Sequence, residues 1–390
     1  MDHPLDYIAG VLFYSSTGLI FYTYFLYPLI LTLLSRLVGH RKVGSDESYN
    51  PGVSMVIAAY NEVSTIGKKI ENCLSLHYPA DRIEFLVGSD GSTDGTEKVA
   101  ASYRDKRIRS VHFPERRGKV VLLNELVPLA KGELVVFSDA NTIYSRGAIK
   151  RLAVHFADRK VGGVCGHLRI VNPNRGPAGL GEGLYWRYEV ALKKLESRIH
   201  SVIGANGAIY AIRRELFRPL PVDRALMDDF LIPLKIVGLG YRVIYEPEAL
   251  GRENASYSIG DEFKRKVRIG AANYNSLYYI YPLLNPAAGY VAFFLWSHKV
   301  IRWFVPFLLI LAFISNLMVM GYTPFQLFFM LQASFYLLSL IGFIVNLLGL
   351  RKLKALSLPY YFVAVNAALL VGFIRFITRT QRAAWERSAR

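Results

Sequence analysis

Cysteine is nearly missing from this chain: Cys73 and Cys165 are the whole complement among 390 residues. Their spacing suits neither a zinc site nor a redox pair. Disulfide scaffolds and thiol chemistry are thereby excluded, and both cysteines read as packing residues of a reducing compartment. Acidic residues are scarce too, 30 against 47 Lys and Arg, for a net charge of +17. Charge of either sign vanishes from Tyr7 to Ser35, from Trp303 to Leu350 and from Ala355 to Ile374. A bilayer-crossing helix needs roughly 20 apolar residues. The runs therefore predict one span near 8–36, two between 303 and 350, and a fourth near 355–376. The first run lacks a basic leader and a small-residue cleavage site, so it reads as a retained anchor rather than a signal peptide. No G-x-G-x-x-G follows the first strand and no G-x-x-x-x-G-K-[ST] occurs, which disfavours dinucleotide binding and P-loop chemistry.

What is present is uneven. Apolar residues make up 52% of the chain and mean hydropathy is +0.25. Much of the positive excess flanks the apolar runs: Arg36, His40, Arg41 and Lys42, then Lys299 and Arg302, then Arg351, Lys352 and Lys354. That placement suits anionic lipid head groups and cytoplasmic orientation, not nucleic acid. The segment 271–298, with its tyrosines and the prolines Pro282 and Pro286, reads as interfacial or re-entrant. Three spans after it place the tail 379–390 outside, although Arg375 to Arg390 holds five arginines and one glutamate. Counting 278–297 as a further span would reconcile the two; three spans is the preferred reading.

Between the first and later spans lies a charged stretch, 50–270, whose first half alternates strands and helices. Strands are predicted at 53–60, 83–88, 108–113 and 134–139, with helices over 62–76, 94–103 and 119–130 between them. Such alternation argues a doubly wound, mostly parallel α/β sheet. Ligands of such sheets bind beyond the carboxyl ends of the strands. Polar clusters fall there: Tyr60-Asn61-Glu62, Ser89 to Gly95, and Ser138-Asp139-Ala140-Asn141.

These clusters carry a resemblance. A-Y-N-E, S-D-G-S-T-D, R-R-G-K-x-x-x-L-N at Arg116 to Asn124, S-D-A-N, Gly204-Ala-Asn-Gly207 and Met227-Asp-Asp-Phe-Leu through Gly240-Tyr-Arg-Val243 stand in one order. That order resembles the inverting GT-A glycosyltransferases of family 2, which include the poly-N-acetylglucosamine, chitin, hyaluronan and cellulose synthases. The resemblance implies a Rossmann-like, nucleotide-sugar-binding GT-A domain with flanking transmembrane helices: an anchor at 1–40, the catalytic domain at 50–270 and C-terminal helices at 299–378.

It also implies roles. Asp229 would be the catalytic base that takes the acceptor proton, with Asp228 beside it orienting it or capping the helix. Tyr60, Glu62, Asp90, Lys119, Asp139 and Arg268 would hold the donor, and Asn206 and Gly207 the acceptor. Asp139 and Asn141 would hold a divalent metal, Mg²⁺ or Mn²⁺. The family usually has D-x-D here, and D-A-N leaves a less negative site. Asp94 reads as readily as a helix N-cap. The family's Q-x-x-R-W becomes Arg265-Lys-Val-Arg-Ile269. Arg268 keeps the arginine, but the missing tryptophan, which helps position the acceptor sugar, argues against long-chain polymerisation.

The expected protein is a metal-dependent, multi-pass membrane glycosyltransferase with a cytoplasmic catalytic domain. It moves sugar from a nucleotide-sugar, UDP-linked before other bases, to a growing glycan of the cell surface. A non-processive enzyme acting on a lipid-linked acceptor is the alternative. A membrane-tethered nucleotide-binding regulator is the third, disfavoured by the acid pair.

Overall fold

The computed structural model describes residues 4–39, 44–171, 177–254, 259–350 and 354–381. Among the basic residues singled out above, His40, Arg41, Lys42, Arg351 and Lys352 lie outside these, as does the tail beyond Gln381.

The chain opens with α1 (Pro4–Phe21), a π-helical turn (Tyr22–Leu26) and α2 (Tyr27–Leu37). A strand-helix alternation follows: β1 (Val53–Ala59), α3 (Val63–Leu74), β2 (Ile83–Asp90), α4 (Thr96–Ser102), β3 (Ile108–Phe113), α5 (Lys119–Leu126) and β4 (Leu134–Asp139). Then come β5 (Ile143–Tyr144), α6 (Ala148–Ala153), β6 (Val161–Val171), α7 (Pro177–Ile199), β7 (Tyr210–Arg213), α8 (Asp228–Gly238) and β8 (Arg242–Asn254). The C-terminal part is helical: α9 (Ile259–Ile280), α10 (Tyr290–Phe294), a second π-helical turn (Leu295–Val300), α11 (Ile301–Met318), α12 (Thr323–Leu347) and α13 (Lys354–Ile377).

The eight strands form one sheet in the order β3-β2-β1-β4-β7-β6-β8-β5. Its first four are parallel, as the alternation predicts. β7 runs antiparallel to both β4 and β6, while β6 and β8 are parallel. All seven residues of β1 are buried. Val53, Met55 and Ile57 pack into one apolar layer and Val56 and Ala58 into the other. A strand buried on both faces reads as a continuous apolar run, which is why β1 and β4 were legible.

Among the described residues, four helical stretches are long and apolar enough to cross a bilayer: Pro4–Leu37, Tyr290–Met318, Thr323–Leu347 and Ala355–Ile377. The second begins earlier than the charge-free run at 303 suggests. Residues 271–280 continue α9, and 290–298 already belong to the long helix, so neither end of 271–298 stands apart. Lys299 and Arg302 sit inside that helix because buried acids accept them. Arg302 reaches Glu189 on α7 at 2.7 Å and Lys299 reaches it at 3.3 Å. They are not free for lipid head groups, which corrects the expectation for these two.

Candidate active site

The carboxyl ends of β1 and β4, the start of α8 and the start of α9 converge on a cleft of about 330 Å³. Glu62, Lys119, Asp139, Asn141, Asn206, Gly207, Asp228, Asp229 and Arg268 all line it.

Asp228 and Asp229 open α8, where exposed N–H groups favour negative charge. Asp229 accepts the Gly207 N–H at 3.0 Å. A Cβ at position 207 would lie 2.9 Å from that carboxylate oxygen, so the close approach requires glycine. Asp228 accepts from the Tyr210 hydroxyl at 3.3 Å. Burial, then the charge of Asp228, pushes the Asp229 carboxyl up to about 6. Lys119 and Lys193 restrain that rise. A carboxyl poised there can take a hydroxyl proton near neutrality.

Lys119 joins the two halves of the cleft. Its ammonium stands 3.0 Å from Asp139 and 3.4 Å from Asp228. Burial works against its charge, but Asp139, Asp228 and Asp229 together outweigh it and hold the lysine well above its ordinary value. It is a fixed cation among acids.

Tyr60 and Asp90 are not among the residues lining the cleft. Both contact the loop that carries Lys119. Asp90 accepts the backbone N–H groups of Arg117 and Gly118 at 2.9 and 2.8 Å. The Arg116 guanidinium lies 3.9 Å over the Tyr60 ring. Asp94 ties the loop after β2 to the start of α3: one oxygen accepts from Thr96 and the other from the Val63 N–H. Those bonds, against the effect of burial, hold its carboxyl below the usual range. Asn206 lines the cleft, yet its amide is engaged by Lys193 and by the Gly166 carbonyl.

Sequence reasoning missed four charged groups. Lys69, fully buried on α3, donates to Ser138 Oγ at 2.7 Å and to the Thr142 carbonyl at 2.6 Å. It braces the D-A-N loop from behind, and burial pushes its ammonium below its ordinary value. Glu253 on β8 accepts from the Asn141 amide at 3.1 Å. Lys193 and Glu189 reach the cleft from α7. None sits in a motif; helical spacing on α7 is the one signal that could have paired Glu189 with Lys193.

The fold family implies a divalent cation. Among the described residues no three His, Cys, Asp or Glu side chains group as a metal cage. Asp139 and Asn141 offer one carboxylate and one amide oxygen beside the cleft. That set fits a cation which takes one or two protein oxygens and draws the rest from a diphosphate and water.

The sequence pattern of the family described as Glycosyl transferase family 2 matches residues 54–220. A poly-beta-1,6-N-acetyl-D-glucosamine synthase of Staphylococcus epidermidis is 26% identical over 230 residues, 58% of this chain and 55% of the relative. A Staphylococcus aureus protein of the same name is 28% identical over 225 residues, 56% of this chain and 53% of the relative. The match thus spans about half the length of these relatives. Among solved structures, mannosyltransferase PcManGT from Pyrobaculum calidifontis, in complex with GDP-Man and Mn²⁺, superposes with a TM-score of 0.73 at 23% identity. That likeness covers 96% of this chain and 99% of the other, and it shows the GT-A fold.

Proposed function

We propose that this chain, whose residues 54–220 make up a glycosyl transferase family 2 domain, is an inverting, membrane-integrated enzyme. It moves sugar from a UDP-linked donor to a hydroxyl of a growing cell-surface glycan. The observation that carries the reading is the acid pair of buried Asp228 and half-buried Asp229, with Asp228 tied through Lys119 to Asp139 in one cleft. A binding protein needs no acid held near neutral pH on the acceptor side.

In this mechanism Asp229 accepts the acceptor proton as the new glycosidic bond forms. Attack from that side, with departure toward Asp139, inverts the anomeric carbon, so an α-linked donor yields a β-linked product. Lys119 and Arg268 face the leaving diphosphate with positive charge, Arg268 through a planar fork. Asp139 and Asn141 would hold a divalent cation, which when bound offsets charge on the departing diphosphate. Glu62 and the loop shaped by Tyr60 and Asp90 close the donor side, and Gly207 lets the acceptor loop press against the base. The four apolar helical stretches support a multi-pass membrane protein; the basic residues flanking the apolar runs favour a cytoplasmic catalytic domain.

The second reading is a single transfer to a lipid-linked acceptor. It is favoured by Arg265-Lys-Val-Arg-Ile269, which lacks the synthases' glutamine and tryptophan. The test is purified full-length protein incubated with a panel of radiolabelled nucleotide-sugars and divalent cations, with the product sized. Metal-dependent transfer from a UDP-sugar is expected. Absence of transfer and of donor hydrolysis with every donor overturns the proposal.

A further inference from the structure

The catalytic cleft does not end at its acceptor side. A second cavity, about 440 Å³, opens between β6 and α7. The two share Leu168, Ile170 and Trp186, so Trp186 stands at their junction. Helical geometry explains the division. Gly183, Arg187, Val190 and Lys194 recur at three- and four-residue steps and form the face of α7 toward the second cavity. Glu189, Leu192 and Glu196 lie on another face, toward the membrane helices. Trp186 and Lys193, seven residues apart, share the edge between them and both reach the catalytic cleft.

The second cavity is basic. Arg169 enters from β6, Arg187 and Lys194 from α7, and no acidic side chain among the described residues lines it. His167 lies between them, bonded to the Tyr245 hydroxyl at 2.6 Å. Burial first, then the charges of Lys194, Arg169 and Lys193, depress its pKa, so the ring senses a positive field. Trp186 adds a second, independent feature: its half-buried ring stands where the two cavities meet, and an indole facing a cleft can stack on a sugar ring.

We propose that this cavity is an acceptor subsite for a glycan bearing carboxylate or phosphate groups, with Trp186 holding the sugar next to the attacking hydroxyl and Arg169, Arg187 and Lys194 taking the anionic groups further out. It rests on the transferase reading above and adds the chemical class of acceptor. Trp186 supplies from α7 the indole that the chain lacks at Ile269, which lines the same cleft. Arg169, Arg187 and Lys194 are exposed at the rim of this cavity, where their shared positive field draws an anionic glycan more than a neutral one.

The test has two arms on the full-length protein in detergent. By calorimetry, an oligogalacturonide should bind at least about tenfold tighter than a neutral maltooligosaccharide of equal length, with the preference shrinking as salt rises. In transfer assays, kcat/KM for the uronic-acid acceptor relative to the neutral one should fall about tenfold in Arg169→Ala/Arg187→Ala. A merely structural effect would lower both acceptors alike. Trp186→Ala should weaken both acceptors, and Trp186→Phe should restore part of the loss. Equal binding of the two glycans, or an unchanged ratio in the double variant, overturns the subsite. Selective binding without turnover of any donor retains the subsite and instead sinks the transferase reading.

Discussion

Asp229 meets two opposed demands. As a base it must be ionised, and as a half-buried neighbour of Asp228 it resists ionisation, which sets its carboxyl near 6. In the transfer reading, kcat/KM should therefore fall about tenfold per unit below pH 6 and level off above it, while a flat profile from pH 5 to 8 would rule out Asp229 as the base. The same shift acts on stability. A carboxyl raised in the folded state contributes stability below its unfolded pKa of about 4 that is lost as pH rises through about 6. Asp229→Asn mimics the protonated form. It should melt higher than wild type at pH 8, by about 3 kcal/mol in stability at most, and the gap should close toward pH 4. The same variant should lose about 10²–10⁴-fold in kcat while nucleotide-sugar affinity stays near wild type. Collapse of donor affinity together with rate would move Asp229 to the donor site. Asp139 and Asn141 give a second residue-scale expectation. Asp139→Ala should abolish metal-dependent transfer. Asn141→Asp sets a carboxylate against Glu253, which now accepts from Asn141. That variant should melt lower than wild type without metal and gain more from added Mn²⁺; equal gains would remove position 141 from the metal site.

Among the elements, the loop after β4 depends on α3. Lys69 holds Ser138 and the Thr142 carbonyl at once, and its ammonium lies 4.2 Å over the Tyr144 ring. Lys69→Met keeps the bulk and removes the donors, leaving the Thr142 carbonyl without that partner. A loss of about 1–3 kcal/mol in thermal or urea unfolding is expected, together with a raised donor KM. Unchanged unfolding would mean the loop holds itself. The two π-helical turns are a second device at this scale. Each carries a residue more than an α-turn, which leaves backbone groups for other partners. Thr23 in the first donates to the Ser297 carbonyl in the second at 2.6 Å, and Tyr22 meets the Ser297 hydroxyl at 2.7 Å. The second turn also presents His298, which bonds Glu196 at 2.6 Å and Glu189 at 3.1 Å.

At the scale of the molecule, those acids on α7 bind the α/β domain to the long apolar helices. Glu196 also accepts from Tyr27 on α2 at 2.8 Å, and Lys193, one turn before it, holds Asn206 of the loop before β7. Removing one member leaves the others buried without compensation, at about 3–5 kcal/mol. Glu189→Leu should therefore lower the melting temperature in detergent strongly and expose the α7 region to protease. A melt within a degree of wild type would show the cluster to be dispensable. Product size belongs here as well. A secreted polymer needs a polar path, and the spans offer little beyond Asn316, Gln326, Gln332, Asn346 and Asn366. Gln332 and Asn366 bond within their own helices, to Tyr336 and to the Phe362 carbonyl. Protein alone in sealed vesicles, active site outward, should make a short or lipid-linked product. A long glycan in the lumen, protected from glycosidase, would overturn that expectation.

By itself the sequence determined the elements whose signal is local. Buried parallel strands are unbroken apolar runs, bilayer-length helices are charge-free runs, and the acids at strand ends stand out against both. So β1 to β4, the four long apolar helices and the candidate Asp139 were legible before any coordinates, while Asp228 and Asp229, at the start of α8, were singled out by the family resemblance. Only the tertiary structure decided what those residues touch. It put Asp90 and Tyr60 in contact with the Lys119 loop, and it brought Lys69, Lys193 and Glu253 to the site from α3, α7 and β8. It also turned Lys299 and Arg302 from head-group cations into partners of a buried acid. The reason is physical: apolar periodicity is written along the chain, whereas a charge acquires its role from opposite charges brought near by folding, more than 100 residues away in the pairing of Arg302 with Glu189.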